Sequence, residues 1–299
     1  MMEGTFQKSV KPRVVEELVD YYIFRRIAAW FVPLLARLKL TPNQVSFLCL
    51  LSGFGTAWVF LKGHFFAGSL LLWGTVVLDC CDGMLARLTG QSSPVGRIID
   101  GTFDSFWGTA IWLAVFFSGR LDLWGRQDVF LLMLAASISM YAHCWTFESV
   151  KNSYLLLCHP EFSESNIDSA QAWKLTGQSL SRRKYLEAFF YLIMTGYQHI
   201  FAPKKEAGAA SIRASSQVDE IRRHLDLPVR LWTFAGEGTH NAAIIFFGLL
   251  TPLAPGAILG AFWAILIPIN LVWLLGVCLW FIRKKRVVAY LNELSLQSA

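Results

Sequence analysis

Long apolar segments alternate with shorter polar ones along most of the chain, and this pattern is typical of helices that cross a membrane. A transmembrane helix needs about 20 predominantly apolar residues. Six segments are read as spans, approximately 44–62, 65–87, 97–118, 129–148, 238–254 and 257–282. The pattern therefore predicts an all-α, polytopic membrane protein with six transmembrane helices.

The composition supports the membrane class. Of the 299 residues, 55% are hydrophobic and only 16% are charged, and the mean hydropathy is +0.44. These values are unlike those of ordinary soluble domains. The six cysteines contain no C-x-x-C pair, so we interpret them as small buried apolar residues in a reducing compartment.

Four segments organise the chain. Residues 1–40 form a juxtamembrane arm, in which 9–40 has the helical apolar spacing of an amphipathic helix lying in the membrane interface. Residues 41–148 hold spans one to four, 149–236 form a cytoplasmic insert with an interfacial helix, and 237–299 hold the last two spans and a basic tail. The first residues lack the apolar run of a secretory signal, so the first span is expected to direct insertion.

The distribution of positive charge predicts the orientation. Of the 27 Lys and Arg residues, only Lys62, Arg120 and Arg126 fall on the side reached after the odd-numbered spans. The positive-inside rule therefore places both termini, the 88–95 turn and the insert in the cytoplasm, in a bacterial inner membrane or a eukaryotic endomembrane. The net charge of +6 beside the membrane suits anionic lipid headgroups. Nucleic-acid binding is excluded because there is no soluble basic fold with interleaved aromatic residues.

Four aspartates interrupt the second and third predicted spans. Asp79 and Asp82 are three residues apart, and Asp100 and Asp104 are four apart, so each pair lies on one helix face. Four unpaired carboxylates at full depth would cost on the order of 10 kcal/mol. Fourteen residues without charge separate each pair from the outer end of its span, about 21 Å of helix in both cases. An antiparallel hairpin, turning at Gly90 and Pro94, would bring both pairs to the same depth.

The free-energy cost of burying four unpaired carboxylates indicates that they bind metal ions. Two divalent cations would neutralise four carboxylates and leave open positions for a diphosphate. Oxygen ligands favour Mg²⁺ or Mn²⁺ over zinc. Two such ions about 4 Å apart are suited to an in-line phosphoryl displacement.

Small residues and one cation accompany the aspartates. Gly83, Ala86 and Gly96 keep the same helix faces free of bulk, which would let a nucleotide approach closely, although tight helix packing is an alternative. Arg87 has a cationic fork suited to phosphate, and its alternative role is a positive-inside anchor.

Other polar residues recur near the same depth in the later spans, namely His143, His240, Asn241 and Asn270. We interpret them as one polar chamber, the alternative for each being a hydrogen bond between helices. A phosphorylated acceptor would need cations, for which Arg222, Arg223 and Arg230 are candidates; headgroup contact is the simpler role for a basic run beside a membrane.

The string Asp79-x2-Asp82-Gly83-x2-Ala86-Arg87-x8-Gly96-x3-Asp100-x3-Asp104 resembles, without a mismatch, the signature of the CDP-alcohol phosphotransferase family. The resemblance covers residues 41–148 clearly and the last two spans loosely. It implies that Asp79, Asp82 and Asp100 bind metal, that Asp104 binds a second metal and acts as the base, and that Gly83, Ala86, Arg87 and Gly96 contact CDP. It also implies a six-span homodimer.

The predicted activity is transfer of a phosphatidyl group from CDP-diacylglycerol to a small hydroxylated acceptor, with release of CMP. Within the same family, the alternative is a small CDP-alcohol as donor and a diacylglycerol-like lipid as acceptor. From another class, a divalent-cation or proton transporter would also use intramembrane aspartates, but the uncharged outer halves of the second and third spans disfavour it. A catalytically silent scaffold is a further alternative, disfavoured by the intact signature.

Overall fold

The structure, a computed structural model, describes residues 6–7, 9–118, 127–159, 169–201 and 215–298, and all regular elements within these ranges are helical. The predicted loop with Arg120 and Arg126 lies outside the described residues, as do parts of the insert. The α-helices are α1 (Arg25–Arg37), α2 (Pro42–Leu61), α3 (Phe65–Thr89), α4 (Pro94–Phe116), α5 (Gln127–Cys158), α6 (Ser169–Ser181), α7 (Tyr185–Phe201), α8 (Ser215–Trp232), α9 (Glu237–Leu249), α10 (Leu259–Ala264) and α11 (Asn270–Ser298).

Four helices among the described residues are long and apolar enough to cross a membrane. They are Pro42–Leu61, Phe65–Thr89, Gln127–Cys158 and Leu259–Glu293, and they match the first, second, fourth and sixth predicted spans. The protein is thus an all-helical integral membrane protein. The third predicted span corresponds to the acidic helix α4, which is not among these four, and the fifth contains α9, whose 13 residues extend only about 20 Å. The count of six spans stays a prediction.

The helix boundaries around the aspartates follow from local capping. Thr41 and Gln44 form a reciprocal capping box at the start of α2, with Pro42 in the first turn. At the end of α3, Gly90 has a left-handed φ of 67°, which glycine adopts without strain. The Ser93 Oγ accepts a hydrogen bond of 2.9 Å from the Gly96 N–H at the start of α4. The contacts at Gly90 and Ser93 confirm the predicted turn between α3 and α4.

The chain divides into two compact units. The first comprises the chain up to Ala142 together with Gly236–Ile269, and the second comprises His143–Ala235 with the chain from Asn270 onward. In the first unit, α2 packs against both α3 and α4, while α1 and α9 pack against α3. In the second unit, α8 packs against α11, and α6 pairs with α7. The boundaries of the four predicted chain segments do not coincide with those of the two units. The four segments remain a prediction about the organisation of the sequence.

Close helix contacts in the first unit depend on Gly53 of α2. A Cβ atom at Gly53 would lie 2.3 Å from the Cβ of Trp107, a side chain of α4 that is only 2% exposed. The missing side chain therefore lets the large indole enter the contact between α2 and α4. This contact fixes the acidic helix α4 against its neighbour.

The amphipathic arm is only partly helical. A π-helical turn, Asp20–Phe24, leads into α1, while residues 13–16 form turns and a bend. The helix expected over 9–40 is therefore shorter, because the Glu16 carboxylate is turned inward to an ion pair with Arg25 (2.8 Å) rather than outward to solvent. Its position in a membrane interface stays a prediction.

Loss of the buried Glu16 carboxylate should loosen the arm. Burial by itself raises the pKa of Glu16, but Arg25 and Lys11 outweigh it, so the pKa lies below the ordinary 4.5. The stabilisation is therefore present above the pKa of the unfolded chain and is lost as pH falls through the lowered folded pKa. Glu16→Gln leaves the Arg25 guanidinium without its counter-charge, and we expect a loss of about 3 kcal/mol.

Limited proteolysis of the arm and thermal unfolding in nanodiscs measure this effect. The matched control is Glu187→Gln, because Glu187 and Lys184 form an exposed pair whose loss should be nearly neutral. Equal cleavage rates for the wild-type protein and Glu16→Gln at neutral pH would contradict the expectation.

Candidate active site

The four aspartates converge on two overlapping groups. Carboxylate oxygens of Asp79, Asp82 and Asp100 all lie within 4.8 Å of one another, and the same limit holds for Asp79, Asp104 and the Sγ of Cys49. Asp79 is common to both groups. The spacing argument for convergence therefore agrees with the geometry, and Asp82 is the most enclosed of the four, at 3% exposure.

Helix α2 lies against both acidic helices and contributes Ser46, which sequence reasoning missed. The Ser46 Oγ donates a hydrogen bond of 2.7 Å to Asp82 Oδ2 and lies 3.4 Å from Asp100 Oδ1. Helices α3 and α4 contact each other far less than each contacts α2. Ser46 therefore links the two carboxylate pairs through a third helix. The available signal was a lone serine in the first apolar turns of that helix.

Trp107 orients Asp104 and was also missed. Its indole Nε1–H donates a hydrogen bond of 3.1 Å to Asp104 Oδ1. Because Trp107 is buried against Gly53, it has little freedom to move. One oxygen of Asp104 is thus held in place, and the other is left for a ligand.

The carboxylates line a cavity of about 200 Å³ within the first unit. Three regions of the chain form its walls: the motif helices, the N-terminal arm and the first turns of α9. The lining residues are Lys11, Glu17, Asp20, Arg25, Val76, Asp79, Asp82, Gly83, Arg87, Asp100, Asp104, Glu237, Gly238 and Asn241. The arm and α9 therefore complete a site whose chemistry comes from α3 and α4.

Arg87 brings an incompletely satisfied cation to this cavity. Its Nε–H donates to the Ser9 carbonyl oxygen, whereas its Nη2 is buried and has no hydrogen-bond partner in the part of the chain that the structure describes. A buried N–H of a guanidinium is costly when unpaired, and an anionic ligand would satisfy it with a charge-assisted bond. The arrangement favours a phosphate-binding role over a simple anchor.

The three small motif residues differ in their surroundings. At Gly83, a Cβ would make only ordinary contact, 3.5 Å from Arg87 Nη2, so helix packing does not require glycine there. Ala86 and Gly96 do not line the cavity. The Ala86 carbonyl caps the end of α3 by accepting the Gly90 N–H, and Gly96 bonds to Ser93. Contact of Ala86 and Gly96 with CDP stays a prediction.

The two residues of the predicted polar chamber that belong to the first unit, Asn241 and His240, have different surroundings. Among the described residues, Asn241 lines the cavity, whereas the His240 ring bonds to the Gly236 carbonyl of its own helix at 2.6 Å. His143 Nε2 and Asn270 Oδ1 bond to each other at 3.0 Å within the second unit. Depth along a helix sets the height of a side chain but not the direction in which it points.

Two of the three cationic candidates for an acceptor phosphate have partners within the second unit. Arg222 donates to the Cys158 carbonyl at 3.3 Å, and Arg223 pairs with Glu220 at 2.9 Å. Both belong to the second unit, as does Arg230. These contacts give Arg222 and Arg223 a structural role within the second unit.

The donor set fits hard divalent cations. Two carboxylate groups that share Asp79 offer several oxygen donors at short range, as Mg²⁺ and Mn²⁺ prefer. The Cys49 thiol lies near, but it donates to the Thr75 carbonyl at 3.5 Å and is a poor ligand for such ions. The residues present therefore fit a pair of Mg²⁺ or Mn²⁺ ions.

Comparison with known proteins gives a family match for the segment that carries this site. Residues 39–154 match the sequence profile of the CDP-alcohol phosphatidyltransferase family. The chain is 33% identical over 112 residues to an archaetidylinositol phosphate synthase of Pyrococcus horikoshii, covering 37% of this chain and 57% of that protein. It is 29% identical over 117 residues to a phosphatidylinositol phosphate synthase of Streptomyces avermitilis, covering 36% of this chain and 48% of that protein.

A phosphatidylinositol phosphate synthase of Mycobacterium tuberculosis is 34% identical over 98 residues, covering 30% of this chain and 45% of that protein. The chain thus spans about half the length of the curated relatives it matches. No solved structure matches the chain.

Proposed function

We propose that this chain, in which residues 39–154 match the sequence profile of the CDP-alcohol phosphatidyltransferase family, transfers a phosphatidyl group from CDP-diacylglycerol to a small hydroxylated acceptor and releases CMP. One observation carries the proposal. Two clusters of possible metal ligands, both containing Asp79, lie in the same cavity as Arg87, whose Nη2 has no hydrogen-bond partner among the described residues. Such a site pairs a place for two cations with a place for a phosphate.

The proposed metal ligands are the four aspartates. Asp79, Asp82 and Asp100 would hold one ion, and Asp79 and Asp104 the other. When bound, two Mg²⁺ or Mn²⁺ ions supply positive charge to the attacking and leaving oxygens of an in-line phosphoryl transfer. Ser46, bonded to Asp82, keeps the first group in register.

The chain's own groups carry the remaining steps. The Asp104 oxygen not bonded to Trp107 accepts the proton of the acceptor hydroxyl. The hydroxyl oxygen then forms a bond to the phosphorus that bears the lipid, while the bond from that phosphorus to the CMP oxygen breaks. Arg87 binds the diphosphate and holds the departing CMP phosphate. Gly83 leaves space for the nucleotide beside that guanidinium.

The membrane arrangement is part of the proposal. We place six spans across the bilayer, with the active site open to the cytoplasm, since 24 of the 27 Lys and Arg residues fall on that predicted side. The lipid tails of the donor would enter from the bilayer, and the cytidine would face water. The family resemblance supports a homodimer.

Release of CMP by the purified protein tests the function. In nanodiscs with CDP-diacylglycerol and Mg²⁺, we expect CMP to form only when a hydroxylated acceptor is added, and chelation should stop it. Mass spectrometry of lipids made from a mixed acceptor pool identifies the product. Parallel reactions with a small CDP-alcohol and diacylglycerol test the reverse choice of donor. Absence of CMP with every acceptor, together with cation flux into liposomes, would overturn the proposal.

A further inference from the structure

Three carboxylates outside the signature line the same cavity. Glu17 and Asp20 come from the N-terminal arm, and Glu237 comes from the first turn of α9. The proposed metal ligands are the four aspartates, so these three carboxylates add to the negative charge of the cavity beyond that of the metal site. Their negative charge bears on what else can enter the cavity.

A pair of glycines holds the arm against α9. The Gly238 N–H donates a hydrogen bond of 2.7 Å to Glu17 Oε2, which caps the helix that Gly236 begins without a side-chain cap. A Cβ at Gly236 would lie 2.1 Å from the Glu17 Cδ, and one at Gly238 would lie 2.0 Å from Asp20 Oδ1. The sequence Gly-Glu-Gly at 236–238 is therefore what permits this approach, and it fixes the backbone of Glu237 at the cavity.

Glu237 acts electrostatically on the reacting side of the site. It lines the same cavity as Asp79 and Asp104, the two aspartates of the second ligand cluster. Its side chain also approaches α4, since a Cβ at Gly108 would lie 3.7 Å from Glu237 Oε1. Glu237 thus lies beside the carboxylate proposed to take the acceptor proton.

The charge balance of the cavity disfavours a further anion. Among the described residues, its lining holds seven acidic side chains and three basic ones, Lys11, Arg25 and Arg87. Of the basic ones, Arg25 is paired with Glu16 at 2.8 Å, and Arg87 is assigned to the donor diphosphate. Two divalent ions would cancel the excess of four negative charges, and the diphosphate then makes the loaded site negative again. A phosphate on the acceptor would meet like charge on every approach past Glu237.

We infer that Glu237 is a specificity-determining residue that rejects phosphorylated acceptors, so that the acceptor is a neutral polyol or an amino alcohol. This inference rests on the proposed transferase function. The relatives named as phosphatidylinositol phosphate synthases are matched over less than two thirds of their length, and Glu237 lies outside the segment that matches the family. The wall of the cavity that discriminates between acceptors therefore comes from a part of the chain that the family match does not cover.

Matched acceptor pairs test the inference. Glycerol against glycerol phosphate, inositol against inositol phosphate, and ethanolamine are offered with CDP-diacylglycerol and Mg²⁺, and kcat and KM are measured for each. We expect the wild-type protein to favour the unphosphorylated member of each pair by at least about tenfold. Glu237→Gln should reduce this preference by about tenfold, mainly through a lower KM for the phosphorylated member, while KM for the donor changes little.

Two further variants separate charge from structure. Glu237→Asp keeps the charge and should keep the preference, whereas Glu187→Gln removes an exposed carboxylate of the second unit and should leave both constants unchanged. A wild-type preference for phosphorylated acceptors, or a preference that Glu237→Gln does not alter, would overturn the inference while CMP release still upholds the transferase. Failure of every acceptor to give CMP would overturn both.

Discussion

Asp79→Asn is expected to lower CMP formation by about a thousandfold or more, the largest effect of any single substitution in this protein. Asp79 is the one residue common to both carboxylate groups, so its loss weakens both proposed ion sites at once. An amide is a neutral and weaker ligand, and a loss of several kcal/mol in charge stabilisation corresponds to a factor of this size. Initial rates at saturating Mg²⁺ and Mn²⁺ binding followed by electron paramagnetic resonance measure the effect.

The same substitution should have the opposite effect on stability without metal. In the presence of chelator, Asp79→Asn removes a negative charge from a crowded buried group, so we expect a higher thermal midpoint than that of the wild-type protein. Asp219→Asn, an exposed change on α8, serves as the control and should leave both properties unaltered. If Asp79→Asn retained activity within tenfold, or bound Mn²⁺ as tightly as the wild-type protein, the shared-ligand assignment would be wrong.

Arg87→Ala is expected to lower kcat/KM for the donor by a hundredfold to about a thousandfold. The substitution removes the buried Nη2, which has no hydrogen-bond partner among the described residues and is proposed to bind the diphosphate. Arg87→Lys should recover only part of this loss, because lysine has neither the Nε–H bonded to Ser9 nor the planar fork. Steady-state kinetics with varied CDP-diacylglycerol and calorimetry with CDP check both variants.

The control for Arg87 is Arg223→Ala, which removes an exposed arginine paired with Glu220. It should change neither the rate nor the affinity for CDP. Full activity in Arg87→Lys would show that only a positive charge is needed at this position. A fall in thermal stability without any change in CDP affinity would reduce Arg87 to an anchor of the arm.

Local arguments from the sequence worked where one helix or one turn decides the outcome. The spacing of Asp79, Asp82, Asp100 and Asp104 sets which face of each helix is acidic, and Gly90 marks the turn between the two helices. The helical period and the equal apolar distances to the outer ends were sufficient for convergence, as the two carboxylate groups show. The apolar runs likewise predicted the four long membrane helices.

Residues contributed by other parts of the chain could not be found in this way. Ser46 reaches the aspartates because α2 packs against both acidic helices. Trp107 lies on the same helix as Asp104, but its indole is held in place because Gly53 of α2 has no side chain. Equal depth also did not distinguish Asn241, which lines the cavity, from His240, whose ring bonds to the Gly236 carbonyl.

The sequence by itself determined the helical membrane class, the capped turn and the acidic faces, because each depends on residues within a few positions of one another. Only the tertiary structure decided which walls close the cavity. Glu17 meets Gly238 across 221 positions, and Arg87 meets Ser9 across 78. Such contacts depend on how separate helices pack, and the period of one helix carries no information about its neighbour.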